Sequence, residues 1–111
     1  MKLYLSTDQG LLGAPFGLPP TVTALEAYLE ILDGCDLPWA VSVVGGDVTT
    51  SEVATLALRR GGHLHLGLEF YGGPETPSNT DLVKRAVELC TGAGRAVASP
   101  DEAAEILKLP S

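Results

Sequence analysis

The sequence predicts an α/β fold with a parallel sheet, built from three successive strand–helix units and a short terminal helix. Three observations predict it. Apolar runs of strand length, Lys2 to Ser6, Trp39 to Val44 and Gly62 to Glu69, are spaced along the chain. Between and after them lie stretches with helical apolar spacing. Helix-start residues stand before each such stretch, and Gly- or Pro-rich turns separate the units. Strands alternating with helices imply parallel neighbours joined by right-handed crossovers.

Lys2 to Ser6 is a short strand, followed by an irregular Gly/Pro-rich loop from Asp8 to Pro20. Thr21 to Asp33 reads as a helix, with Leu25, Tyr28, Leu29 and Leu32 on one face, Pro19 and Pro20 before it and Gly34 closing it. Trp39 to Val44 is a continuous apolar strand of the kind covered on both faces, with Trp39 as a buried anchor at its start. Gly45-Gly46-Asp47 is a tight turn; Thr49 to Arg60 is a second helix with Thr50 or Ser51 as cap, and Asp47 is a further candidate cap. The strand from Gly62 to Glu69 follows. Ser78 or Asn79 caps a third helix over Thr80 to Thr91. Ser99 caps a last one that begins at Pro100 and ends near Lys108.

With 111 residues the chain amounts to one domain or less, and 45% apolar residues permit a core. A net charge of −7 argues against nucleic-acid binding, which needs a basic stripe to displace counterions. No apolar run is long enough for a membrane span, and Met1 to Ser6 does not resemble a signal peptide. Cys35 and Cys90 form no CxxC pair and read as reduced thiols of a cytoplasmic protein rather than a disulfide. Three parallel strands leave two unpaired edges, which suggests part of a larger fold.

Residues 61 to 70 carry the chemistry. Leu64, Leu66 and Leu68 alternate with His63, His65, Gly67 and Glu69, so one face is aliphatic and the other holds imidazoles and a carboxylate. Glu69 comes last, at the carboxyl end of its strand, where parallel folds place their ligands. His63 and His65 lie about 7 Å apart along a strand, but Glu69 lies about 13 Å beyond His65, too far to share one ion without a bend. Arg59 and Arg60 precede the strand and read as surface charges. Phe70 and Tyr71 read as rim packing.

The ordered motifs resemble the β-keto acid cleavage enzyme family, in its carboxyl-terminal portion. They are Gly17-Leu18-Pro19-Pro20-Thr21 with Ala24 to Leu29; Pro38-Trp39-Ala40-Val41 with Gly45-Gly46-Asp47; Gly61-Gly62-His63 to Gly67-Leu68-Glu69; Ser78-Asn79 with Leu82-Val83; and Gly94 to Ala103. The resemblance implies the last three βα units, strands six to eight, of a TIM (β/α)8 barrel plus a terminal helix, forming one partial domain. Such barrels typically need about 250 residues. It also implies a Zn2+ cofactor with Glu69 as metal ligand, at zinc–oxygen distances of about 2.0–2.2 Å. The two zinc histidines of the family belong to earlier strands.

By resemblance, the family carries a catalytic arginine where this chain has His65 and a catalytic aspartate where it has Phe70, which makes His65 the candidate catalytic residue. The implied partners are a β-keto acid and acetyl-CoA, which exchange fragments to give acetoacetate and a new CoA thioester. Gly45 and Gly46, before a helix N-terminus, are candidates for contacting a CoA phosphate, or else simply permit a tight turn. Three readings result. The first is the carboxyl-terminal part of such an enzyme, truncated or encoded as a split gene. The second is a non-catalytic remnant that associates with an N-terminal half-barrel or with a second copy of itself. The third is a stand-alone metal domain using His63, His65 and Glu69.

Overall fold

Leu3 and Leu5 alternate with Lys2, Tyr4 and Ser6, and Val41 and Val43 alternate with Ala40, Ser42 and Val44. This parity decides the two faces of the sheet. In the structure, a computed structural model that describes residues 1–110, the strands are β1 (Lys2–Ser6), β2 (Ala40–Val44) and β3 (His63–Leu64). They form one parallel sheet in the order β1-β2-β3. Lys2 lies opposite Ala40 and Ala40 opposite His63, so Lys2, Tyr4, Ser6, Ser42, His63 and His65 share a face. Leu3, Leu5, Val41 and Val43 share the other. That second face packs on helices α1 (Val22–Ile31) and α2 (Glu52–Arg59) through Ala24, Leu25, Val53, Ala54 and Ala57.

The helices begin where side-chain caps satisfy their first N–H groups. Thr21 accepts from the Ala24 N–H at the start of α1. Ser78 and Asp81 form a reciprocal capping box on α3 (Asn79–Gly92), and Ser99 and Glu102 do so on α4 (Pro100–Ile106), whose first residue is the expected proline. Both carboxyls are held below their ordinary range, chiefly by their bonds to the capping serine. Gly34 lies just past α1 in the left-handed region, with φ +81°.

Two expected elements differ. The helix expected over Thr49 to Arg60 is a 3-10 turn (Val48–Thr50) followed by α2. The Asp47 carboxylate accepts from the Thr49 N–H and tightens the turn, and extended Ser51 separates it from α2. Thr50 therefore caps nothing. Ser51 takes the cap position of α2 without a side-chain hydrogen bond.

The strand expected over Gly62 to Glu69 is the larger correction. Its ladder covers His63 and Leu64, and the His65 N–H still reaches the Val41 carbonyl at 2.9 Å. The chain then leaves the sheet, turns through Leu68 to Phe70, and rejoins where Tyr71 pairs with Gly46. His63 lies opposite Ala40 but Tyr71 opposite Gly46, so the β3 side carries two extra residues between these pairs. An edge strand has a neighbour on one side only, and Gly67, at φ +156°, has no side chain to hold the pleat. Trp39, half-buried, precedes β2 rather than beginning it. Its ring lies over Gly62, where a Cβ would come within 2.4 Å.

Much apolar surface is left uncovered. Val83 and Val87 of α3 are exposed, as are Val97, Leu68, Ile31 and Leu12, and α4 buries no residue. Among the described residues, no helix is long and apolar enough to cross a membrane. Both cysteines are free thiols.

Candidate functional site at the carboxyl end of the sheet

Glu69 lies in the turn that carries the chain away from β3, and it is exposed. Its backbone is held from both sides. The Leu68 N–H donates to Oδ1 of Asn79, in the first turn of α3, at 3.1 Å. The Phe70 carbonyl accepts from the Gly45 N–H at 2.9 Å, and the Gly72 N–H donates to the Gly46 carbonyl at 2.9 Å. The carboxylate itself makes no hydrogen bond or ion pair among the described residues. A pinned backbone with a free anionic side chain suits a residue that binds something outside the chain.

The turn of Gly45 and Gly46 supports this arrangement. A Cβ on Gly45, which has φ +76°, would meet the backbone of Gly10 and the Thr7 hydroxyl within 2.7 Å; one on Gly72 would meet Gly45 at 2.5 Å. The Thr7 hydroxyl donates to the Gly45 carbonyl at 2.8 Å. The ends of all three strands therefore approach through glycine. Here the N–H of Gly45 and the carbonyls of both glycines are engaged within the protein.

Beside them, Asp47 acts as the expected cap, accepting from the Thr49 N–H at 2.9 Å and its hydroxyl at 2.6 Å. Its other oxygen pairs with Arg85 of α3 at 3.2 Å, with the Asp47 side chain only 6% exposed. Arg85 also binds Glu75, and that bond above all raises its pKa. This network ties the loop after β3 to the loop after β2. The sequence offered no signal for it, since 38 residues separate Asp47 from Arg85.

His65 points into an aromatic group with Tyr4 and Phe70, at centroid distances of 6.4 Å and 6.1 Å, and Phe16 completes it against Tyr4 at 5.4 Å. Phe70 thus packs, as expected. Nδ1 of His65 is buried without a hydrogen-bond partner. Strand parity puts Tyr4 and His65 on one face only through the register of β1, β2 and β3, which the tertiary structure sets. His63 is half-buried at the other end of the same face, near Arg95, which donates to the carbonyls of Leu58 and Gly62. Arg60 is a half-exposed surface charge, as expected, and pairs with Glu26 at 2.6 Å. No three His, Cys, Asp or Glu side chains among the described residues gather at metal-binding range, so His63, His65 and Glu69 form no local triad.

Both imidazoles are held below the ordinary value of 6.5. Burial is the main cause for each, followed by Arg95 and the N-terminal amine for His63, and by Lys2 for His65, where Glu69 pulls the other way. A depressed base is protonated first in the unfolded chain. Stability is therefore full above about pH 6.5 and declines as pH falls below it toward the folded pKa values. The urea midpoint is expected to be lower at about pH 5.5 than at about pH 7.5. A His63→Gln/His65→Gln variant should lose most of that difference. An unchanged difference would assign it to other groups.

The family model of the beta-keto acid cleavage enzymes matches residues 6–109. A 3-keto-5-aminohexanoate cleavage enzyme from Fusobacterium nucleatum subsp. nucleatum is 40% identical over 75 residues, which cover 64% of this chain and 27% of that relative. The match thus spans about a quarter of the relative's length. A parallel three-stranded sheet with four helices is compatible with part of a TIM-barrel-like fold. With the match extending over nearly all of its residues, the chain belongs to the beta-keto acid cleavage enzyme family.

Proposed function

We propose that this chain provides the carboxyl-terminal strand–helix part of a zinc-dependent β-keto acid cleavage barrel, with Glu69 as one metal ligand. The remaining ligands would come from an amino-terminal part on the same or another polypeptide. The observation that carries this reading is the free, exposed carboxylate of Glu69 on a backbone pinned at Leu68 and Phe70. The donor set fits such a role: one carboxylate, unengaged among the described residues, at the end of the sheet where ligands gather. Zinc, when bound, supplies a Lewis acid that polarises the keto oxygen of the substrate.

The chain's own residues then have limited tasks. Burial holds the His65 imidazole below its ordinary pKa, and it lacks a guanidinium's fork of donors, so it does not reproduce the family arginine. Its Nδ1 is buried and has no hydrogen-bond partner among the described residues, so it is not presented to a substrate in this arrangement. Phe70 packs edge-on against His65 and takes no proton. The substrates on this reading are a β-keto acid and acetyl-CoA, and the products are acetoacetate and a new CoA thioester.

A second reading, an association module without catalysis, is favoured by His65 and Phe70 and by the exposed apolar residues of α3. One experiment separates the two. The chain is mixed with the part of the Fusobacterium relative outside the matched segment, loaded with zinc, and assayed for acetoacetate formation from acetyl-CoA. The catalytic reading expects turnover, increased by His65→Arg/Phe70→Asp. A folded complex with no turnover in either form would leave the association module.

A further inference from the structure

The two edges of the sheet are in different states. In β1 the odd residues face β2, so the N–H and C=O groups of Tyr4 and Ser6 point to the outer edge. There the Ser6 N–H donates to the Leu18 carbonyl at 2.7 Å, and the Tyr4 carbonyl accepts from the Tyr28 hydroxyl at 3.0 Å. Gly17 presses on the same carbonyl so closely that a Cβ would lie 2.5 Å from it, and its φ of +111° suits only glycine. Phe16 fastens this strap by packing edge-on against Tyr4. The outer edge of β1 is thus occupied by the chain's own residues 16–18.

The outer edge of β3 is open. His63 and His65 direct their N–H groups to β2, which leaves Leu64 and Leu66 pointing outward. Neither has a backbone partner on that side among the described residues. Flanking this edge is an apolar groove walled by Leu66, Val83, Val87, Cys90 and Val97, of which Val83, Val87 and Val97 are exposed. A bare edge with an apolar groove beside it fits a parallel strand whose following helix lies on α3.

We propose that the β3 edge is the first point of attachment for an incoming strand, and that the 16–18 strap must be displaced before a second strand can pair with β1. The occupant is a parallel strand from the amino-terminal βα part, because the match covers 27% of the relative and leaves the rest of its length to supply neighbours. This inference rests on the barrel reading proposed above. A closed β1 edge also keeps copies of the chain from stacking head to tail into an open-ended sheet.

The test is pulsed hydrogen exchange while the chain binds the part of the Fusobacterium relative outside the matched segment. Amides of Leu64 and Leu66 are expected to gain protection first, and Tyr4 later by about tenfold in time, as expected if one or two strap hydrogen bonds must break. In Gly17→Val the delay should vanish, and in Tyr28→Phe, which removes only a hydroxyl, it should shorten. Protected amides at Ala40, Ser42 and Val44, in the β1–β2 ladder, report that both variants are folded. Binding with Tyr4 protected first or simultaneously overturns the order of attachment while leaving the barrel reading intact. Absence of binding overturns both. Concentration-dependent protection of Leu64 and Leu66 in the chain alone overturns the named occupant in favour of a second copy.

Discussion

Replacing Glu69 by glutamine is expected to weaken zinc binding in the assembled barrel by at least about 100-fold, since even the outer partners of metal ligands contribute about 10–100-fold. The amide is nearly isosteric with the carboxylate but lacks its charge. Competition titration against a chelator of known affinity would measure the loss. Because Glu69 is exposed and makes no hydrogen bond or ion pair among the described residues, the variant's urea midpoint should match the parent's. The pairing of these outcomes identifies a ligand. Lower stability with unchanged zinc affinity would make Glu69 a structural residue and end the metal assignment. Asn79 gives an internal comparison: Asn79→Ala frees the Leu68 N–H and loosens the turn, so its effect on zinc should have the same sign and be smaller.

Truncating Leu5 to alanine is expected to cost about 3 kcal/mol, within the range of about 2–5 kcal/mol for buried leucines. Leu5 is fully buried on β1, in the core cluster that includes Leu25 and Val43. The sheet cannot collapse freely around the cavity, because in-register hydrogen bonding to β2 fixes the spacing of β1. A small domain has only about 5–15 kcal/mol in total, so this loss is a large fraction of the whole. Urea unfolding followed by circular dichroism would show it. A loss below about 1 kcal/mol would mean that the surroundings refill the space, contrary to the range expected for a rigid core. Leu12, fully exposed in the β1–α1 loop, is the control: Leu12→Ala should be close to neutral.

The legibility of this chain depends on the range of the forces involved. Helix starts were readable because a cap is a local event. Thr21, Ser78 and Ser99 each bond an N–H three residues on, and each begins a helix in the structure. The division of β1 and β2 into two faces was readable for a similar reason, since side-chain parity holds wherever a ladder continues. It failed at β3. The alternation of Leu64, Leu66 and Leu68 runs on in the sequence, whereas the strand leaves the sheet after His65. At an edge nothing on the outer side enforces the pleat, and the glycine contacts of Gly45 with Gly72 draw the chain back two residues out of step.

The candidate site shows the same division. The sequence put Glu69 last in its strand, at the end where ligands bind, whereas the structure puts it in the turn that follows. That its backbone is braced by Asn79 and Gly45, that Asp47 joins Arg85 across the loops, and that His65 lies among Tyr4 and Phe70 did not follow from the sequence. The sequence by itself determined the family, the parallel strand–helix order and the caps at Ser78 and Ser99, because these rest on residue type and near-neighbour spacing. The tertiary structure alone decided how far β3 runs, which edge is closed and what holds Glu69 in place, because each depends on contacts between segments remote in the chain.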